Sequence, residues 1–146
     1  MEILRITKDN VAQYRDKKVE FEGHIEIEAG LGIVAFLSLR ARGFIRALAG
    51  SGIEAGSGIE AGEGIKAGSG IKAGWGIKAG FSVVCKAVLS FRYRLFAGTV
   101  IWRQTVTDAE KTVSCLRLEG GGTVEYGLLI ETSKTEAPAT TTEAQS

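Results

Sequence analysis

The sequence predicts an all-β protein, a single-domain parallel β-solenoid, from two observations. The first is a hexapeptide repeat, in which a glycine-isoleucine pair recurs at every sixth residue. Its isoleucines are Ile53, Ile59, Ile65, Ile71 and Ile77. A fixed short period indicates one structural unit stacked on copies of itself. The second is an alternation in which nearly every odd-numbered residue from Val19 to Ile101 is apolar or small. An even period keeps each side chain on one face of a strand, so the repeated isoleucines are the predicted core.

The continuity of this alternation favours a solenoid over a meander of hairpins. It starts in Val19–Glu28, where odd residues are apolar and even ones mostly charged, and keeps its phase through Ile33 and Leu37. It crosses the glycine-rich repeat and continues to Tyr93 and Leu95. Hairpin turns reset the phase about every 8–12 residues. Glycine corners of a solenoid leave the alternation unchanged.

Charges at the even positions indicate three hexapeptides, about 18 residues, in each coil. In that register each residue lies beside the one three hexapeptides later, and opposite charges become neighbours. The predicted pairs are Glu22–Arg40, Glu28–Arg46, Arg42–Glu60, Glu54–Lys72 and Glu60–Lys78. No like charges meet on this face, whereas a coil of two hexapeptides places Lys66 beside Lys78. Each pair contributes only roughly 0.2–1 kcal/mol, so the preference is mild.

The segments that flank the repeat predict caps. Glu2–Ile6 is expected to form a short strand, followed by a short helix with Thr7 as its N-cap. Lys111–Glu119 and Thr123–Glu131 are expected to pair as a hairpin around a run of three glycines. The last residues contain the only proline and no aromatic residue, a composition typical of disorder. The predicted division is 1–18 N-terminal cap segment, 19–103 β-solenoid, 104–131 C-terminal capping strands and 132–146 disordered tail.

Charge and cysteine content indicate which partners are not favoured and where in the cell the protein is expected. The formal net charge is +1, so no global field predicts binding to nucleic acid or to a membrane. Cys85 and Cys115 are far apart, which predicts buried free thiols in a reducing compartment. Residues 1–18 lack the apolar stretch of a secretion signal, and the longest apolar stretch, Leu31–Leu39, is too short to span a bilayer. We therefore expect a cytoplasmic protein, in the host cytoplasm if a phage encodes it.

The repeated unit Ile53-Glu54-Ala55-Gly56-Ser57-Gly58 resembles the hexapeptide repeat of left-handed parallel β-helix proteins. That family places an aliphatic residue first and a small residue fifth in each hexapeptide. The match is strong over residues 50–82 and weak over 19–101, and it implies a left-handed solenoid. At the fifth position Ser57 and Ser69 fit the family pattern. Glu63, Trp75 and Phe81 do not, so either these side chains lie outside at a corner or the coil is wider than in that family.

Many members of that family are trimeric acyltransferases, which require a histidine base between subunits. The sole histidine here, His24, lies in an alternating strand between Glu22 and Glu26, so a solvent-facing role is the preferred interpretation. One histidine and two distant cysteines do not make a usual zinc set. The glycines lack the strand-to-helix context of a phosphate-binding loop. The prediction is therefore no catalytic residue, no cofactor and no metal ligand.

The sequence favours a binding surface over a catalytic site. Glutamates make the early strands acidic, whereas lysines and arginines make the later ones basic. Phe91-Arg92-Tyr93-Arg94 mixes aromatic and basic residues, a composition that can stack on bases or hold phosphates. The alternation instead assigns Phe91 and Tyr93 to the core, and this interpretation is preferred. Large apolar residues on the outer face imply cover by the terminal segments or by a partner; they are Phe36, Phe44, Leu48, Phe96 and Trp102. The predicted partner-binding residues are Lys66, Lys72, Lys78, Arg92, Arg94 and Trp102.

A rigid charged rod with few reactive groups predicts a non-catalytic intracellular binding protein, which occupies the surface of another protein or nucleoprotein complex. By analogy, its size and lack of reactive groups fit an inhibitor of the anti-CRISPR kind, carried by a phage or mobile element. The alternative is a self-assembling structural scaffold, and the third hypothesis is a degenerate hexapeptide-repeat acyltransferase. Direct nucleic-acid binding is not favoured, a membrane partner is not expected, and a homo-oligomer stays open.

Overall fold

A computed structural model describes residues 2–132, which form a parallel β-solenoid of about six coils with almost no helix. The predicted disordered tail lies outside the described residues, apart from Thr132. Every strand pair is parallel, and the strands form three sheets of seven, six and five strands. The predicted fold class, an all-β parallel solenoid, is confirmed.

The chain winds through the three sheets in a constant order. In chain order the strands are β1 (Ile3–Ile6), β2 (Lys18–Phe21), β3 (His24–Ile27), β4 (Gly32–Phe36), β5 (Ser38–Ala41), β6 (Ile45–Ala47), β7 (Ser51–Ala55), β8 (Ile59–Ala61), β9 (Ile65–Ala67), β10 (Ile71–Ala73), β11 (Ile77–Ala79), β12 (Val83–Cys85), β13 (Val88–Phe91), β14 (Arg94–Ala97), β15 (Thr112–Cys115), β16 (Arg117–Glu119), β17 (Thr123–Tyr126) and β18 (Leu128–Glu131). Sheet A contains β1, β3, β6, β9, β12, β15 and β18. Sheet B contains β2, β5, β8, β11, β14 and β17, and sheet C contains β4, β7, β10, β13 and β16. Each coil therefore has an A–C, a C–B and a B–A corner.

The repeated isoleucines fill the interior, as predicted. None of the five is more than 2% exposed, and the alanine two residues after each is also buried. Two inward side chains from each of three short strands thus make one layer of the core, and the layers stack along the axis. Burying each isoleucine contributes roughly 1.5–3 kcal/mol relative to exposure.

The predicted coil length holds in the repeat but not before it. Ile53 lies opposite Ile71, and Glu54–Lys72 and Glu60–Lys78 are neighbours as predicted. In the earlier coils Val19 lies opposite Leu39, so each coil there is two residues longer. The predicted pairs Glu22–Arg40, Glu28–Arg46 and Arg42–Glu60 are therefore wrong, and the actual neighbours are Glu20–Arg40, Glu26–Arg46 and Arg40–Glu60.

The extra residues lie at the A–C corner. There Gly30 and Gly50 adopt φ angles of +77° and +78°, which glycine tolerates best. The first of these corners also shifts the alternation by one residue. Val34 and Phe36 in β4 are buried, whereas Ile33 is 47% exposed. The predicted inward positions of Ile33 and Leu37 and the outward position of Phe36 are thus wrong, and the phase is restored at Leu39 in β5.

The N-terminal segment completes the first coil. The predicted strand forms as β1 and pairs with β3 in sheet A. The predicted helix is reduced to one 3-10 turn, Val11–Gln13, and its N-cap position is Asn10 instead of the predicted Thr7. The Asn10 side chain accepts a hydrogen bond from the Thr7 N–H at 2.7 Å. This turn occupies the place of a sheet C strand. Beyond it, the Asp16 N–H donates to the Ala35 carbonyl, which extends the first coil over β4.

The predicted C-terminal hairpin is wrong. β16 pairs in parallel with β13, and β17 pairs in parallel with β14. Gly120–Gly122 form a C–B corner instead of a hairpin turn, so these strands continue the solenoid. The chain also inserts residues 98–111 at the preceding B–A corner. That insert is held by Glu110, whose carboxylate accepts two hydrogen bonds from Arg103 at 2.7 and 2.8 Å and one from the Thr107 N–H at 3.1 Å.

Candidate partner-binding surface

An exposed ridge runs along the C–B corner. Four successive coils each place one residue at its tip, namely Leu37, Ser57, Trp75 and Tyr93. Main-chain hydrogen bonds connect them, from the Ser57 N–H to the Leu37 carbonyl (2.9 Å), from the Trp75 N–H to the Ser57 carbonyl (2.9 Å) and from the Tyr93 N–H to the Trp75 carbonyl (2.8 Å). Neighbouring coils are about 4.8 Å apart, as in any sheet. We call these four residues the corner ridge.

The sharpness of the corner turns the ridge side chains outward. Gly74 passes so close to the coil beneath that a Cβ there would overlap the Gly56 carbonyl oxygen. The chain bends tightly at this point, and Trp75 is 62% exposed. The hypothesis that Trp75 lies outside at a corner is confirmed. Tyr93 was expected in the core and is 57% exposed, because Phe91 is the last buried residue before the corner.

The ridge is accompanied by cations that lack ion pairs. Arg92 and Arg94 flank Tyr93, and Lys72 lies on the adjoining face of sheet C; all three are exposed. Within residues 2–132 none of them has a carboxylate within 4.0 Å. Earlier arginines are paired instead: Arg40 with Glu60 at 3.7 Å, Arg42 with Glu22 at 3.4 Å and Arg46 with Glu26 at 3.5 Å. The arginines of the early coils are thus compensated, whereas Lys72, Arg92 and Arg94 are not.

A shallow depression of about 380 Å³ lies between the ridge and sheet C. Its walls carry Lys72, Trp75, Ser90 and Arg92, and its floor includes Gly74 and two further glycines. The glycines leave the floor without side chains. The depression therefore combines an aromatic wall with two cations and one hydroxyl, a set of groups that suits an anion joined to an apolar group.

The other predicted binding residues lie elsewhere. Lys66 is on sheet A and Lys78 on sheet B, so the three lysines occupy three faces, as the register predicted. Trp102 lies in the B–A insert, 64% exposed, with its ring edge-on to Phe81 at 6.1 Å between centroids. The structure brings Lys72 and Arg92 together at one depression, whereas Arg94 lies across the corner in β14, the strand that pairs with the strand of Lys78 in sheet B. Lys66 and Trp102 lie on other parts of the surface. Sequence reasoning omitted Trp75 from the site, although its misfit to the small fifth position was the available signal.

His24 makes structural contacts. Its ring stacks on Phe44 with 3.9 Å between centroids, and its Nδ1 accepts a hydrogen bond from the Phe44 N–H at 2.9 Å. Arg46 lies over the other side of this pair, 4.4 Å from the Phe44 centroid. Because Nδ1 is an acceptor here, the neutral ring carries its proton on Nε2. The lone pair at Nδ1 is thus occupied by the main chain.

Both cysteines are buried free thiols, as predicted. Burial raises the pKa of Cys85 to about 11 and that of Cys115 to about 12. A thiol is a nucleophile or a metal ligand only as the thiolate, so neither sulfur is activated at neutral pH. Across residues 2–132 there is no group of three or more His, Cys, Asp or Glu side chains arranged to hold a metal ion.

Comparisons of the chain with protein-family models, with curated proteins and with solved structures give no match. A search of the described residues for a helix of the length and apolarity needed to cross a bilayer finds none. The surface itself, above all the corner ridge and its neighbouring cations, is therefore the feature that indicates a function.

Proposed function

We propose that this protein is a non-catalytic binding protein, which acts by occupying the surface of another protein or nucleoprotein complex. The observation that carries the proposal is the exposure of Trp75 and Tyr93 beside unpaired arginines. Tryptophan, tyrosine and arginine are the residue types that dominate the binding energy of protein interfaces. Their clustering on one corner distinguishes this surface from a uniformly charged one.

The solenoid supports this function by fixing the surface in advance. Each ridge residue is tied to the coil beneath it by a main-chain hydrogen bond, and the strands on both sides belong to continuous sheets. A preorganised surface loses less conformational entropy on association than a flexible one.

Small size and a rigid surface are also consistent with an inhibitor of the anti-CRISPR kind, carried by a phage or mobile element. Left-handed winding and a cytoplasmic location stay predictions from the sequence.

The contacts of His24 favour a binding role over acyl transfer. A general base needs a free lone pair within reach of a bound hydroxyl or amine. The Nδ1 lone pair accepts the Phe44 N–H, and the ring face is covered by Phe44. We expect the substitution His24→Ala to leave partner capture unchanged.

The test is capture of a partner from bacterial lysate on the immobilised protein. Wild type is compared with the triple variant Lys72→Glu, Arg92→Glu and Arg94→Glu, and with a control of equal charge change at positions outside the ridge and its depression, Lys66→Glu, Lys78→Glu and Lys86→Glu. We expect a protein that the wild type and the control retain, that the first variant loses, and whose capture weakens as salt rises. Equal capture by all three proteins, or none by the wild type, contradicts the proposal. A mass that grows with concentration in light scattering supports the scaffold alternative.

A further inference from the structure

We propose that the depression beside Trp75 binds an acidic segment of the partner protein, in which a carboxylate side chain adjoins an apolar one. This inference rests on the proposed binding function and specifies its ligand. Two features of the depression lead to it: two cations, Lys72 and Arg92, among its lining residues, and the aromatic wall formed by Trp75.

The cations come from neighbouring coils. Lys72 in β10 lies directly opposite Ser90 in β13, and Arg92 follows Ser90 by two residues. The two cationic side chains and the Ser90 hydroxyl therefore border the same depression. Glu54 is the other register neighbour of Lys72, yet no carboxylate among the described residues lies within 4.0 Å of its ammonium. A carboxylate placed between Lys72 and Arg92 would gain charge-assisted hydrogen bonds from both.

The aromatic wall provides the apolar part of the site. The ring of Trp75 is largely exposed, and the glycine floor lets an incoming side chain approach the main chain. A volume of about 380 Å³ accommodates a few side chains of a bound segment. Contact with Trp75 would remove apolar surface of both molecules from water, which anchors the segment while the cations orient it.

The distribution of charge favours a protein over a nucleic acid strand. A single strand is usually held by cations along its whole path and by an aromatic ring for successive bases. Here only two of the four ridge residues are aromatic. The unpaired cations lie at the two ends of the ridge, Lys17 beside Leu37 and Arg92 beside Tyr93, and not along its length. The next depression on sheet C shares Lys72 and Ser90 and is also lined by Glu54 and Glu119. At the depression the unpaired positive charge therefore covers only a short stretch, which suits a single carboxylate better than a chain of phosphates.

The experiment is fluorescence anisotropy with three labelled probes: a peptide of Glu-Glu-Leu-Ser repeats, the same peptide with glutamine for glutamate, and an oligothymidine. We expect the glutamate peptide to bind wild type about tenfold more tightly than the glutamine peptide at low salt. Trp75→Ala and Arg92→Gln should each weaken its binding several-fold. The controls Trp102→Ala and Lys66→Gln remove a tryptophan and a cation on other faces and should bind as wild type does. A circular dichroism spectrum and a melting temperature verify the fold of each variant.

Equal binding of the two peptides, no binding of either, or equal weakening by the control variants overturns the inference. Oligothymidine binding that exceeds peptide binding and is lost with Trp75→Ala assigns the surface to nucleic acid and likewise overturns it. The proposed function is tested separately. If lysate capture depends on Lys72, Arg92 and Arg94 but the glutamate peptide is not distinguished, the binding function stands and this ligand assignment fails.

Discussion

Arg46 and Lys66 lie directly opposite each other on neighbouring parallel strands of sheet A, although both are cations. Arg46 is compensated by Glu26, at 3.5 Å on its other side. Lys66 has Val84 on its other side, so it has no acidic neighbour in the register. The charge pattern of the sequence predicted no like-charge contact on this face. The contact arises because the coil is two residues longer here than in the regular repeat.

Replacing Lys66 by glutamate should therefore stabilise the protein. Lys66→Glu puts a carboxylate opposite Arg46, and we expect the free energy of unfolding in urea to rise by roughly 0.2–1 kcal/mol. The control is Lys78→Glu, which makes the same change opposite Glu60 and should lower it by a similar amount. Shifts of the same sign in both variants would contradict the register argument.

Gly74 and Gly56 hold the same place in successive coils, but they tolerate a side chain differently. A Cβ at Gly74 would overlap the Gly56 carbonyl oxygen, whereas a Cβ at Gly56 would meet its nearest atom, the Leu37 carbonyl oxygen, at 3.5 Å. We expect Gly74→Ala to lower the free energy of unfolding by about 1–3 kcal/mol, the usual cost of overpacking. Gly56→Ala should change it by less than about 1 kcal/mol. Thermal melts of both proteins measure the difference, and equal losses would rule out the proposed clash.

The core placement of the repeat is tested at Ile65. This residue is 1% exposed, and aspartate there would bury an unpaired charge, which costs several kcal/mol or more. We expect Ile65→Asp to prevent folding. The adjacent Lys66 is exposed, and Lys66→Asp should yield a soluble protein with the circular dichroism spectrum of wild type. A folded Ile65→Asp protein would show that the isoleucines do not form the core.

The regular coils could be predicted because their local pattern repeats without change. From Ile53 to Ala79 every strand has an isoleucine and an alanine on either side of one charged residue, and every corner has the same glycines, so one period determines the buried face. The opposite charges of Glu54 and Lys72 then selected three hexapeptides per coil. The corner position of Trp75 was one of the two alternatives that the sequence offered, since so large a ring does not fit the narrow interior implied by a small fifth residue.

The irregular corners could not be predicted, because their geometry depends on the neighbouring coil. The alternation continues unbroken through Ile33 in the sequence. The first A–C corner, where Gly30 and Gly32 both have positive φ, is nevertheless one residue longer than the corner at Gly50 and shifts the phase of β4. Tyr93 continues the odd phase after Phe91, but the chain turns between them. A run of three glycines suits a hairpin and a solenoid corner equally well, and only the long-range parallel pairing of β16 and β17 decides between them.

The buried thiols should make the protein less stable at alkaline pH. Burial raises the pKa of Cys85 to about 11 and that of Cys115 to about 12, from a usual value of 9.0. Above pH 9 the unfolded chain therefore loses these protons while the folded chain keeps them. Their stabilising contribution is complete below pH 9 and falls as the pH rises towards 11 and 12, by at most about 1.4 kcal/mol per pH unit for each thiol. Urea unfolding with reductant from pH 8 to 10 should show a steeper fall for wild type than for the double variant Cys85→Ala and Cys115→Ala, in which lysines and tyrosines titrate as before. Parallel pH profiles would show that the thiols ionise alike in both states.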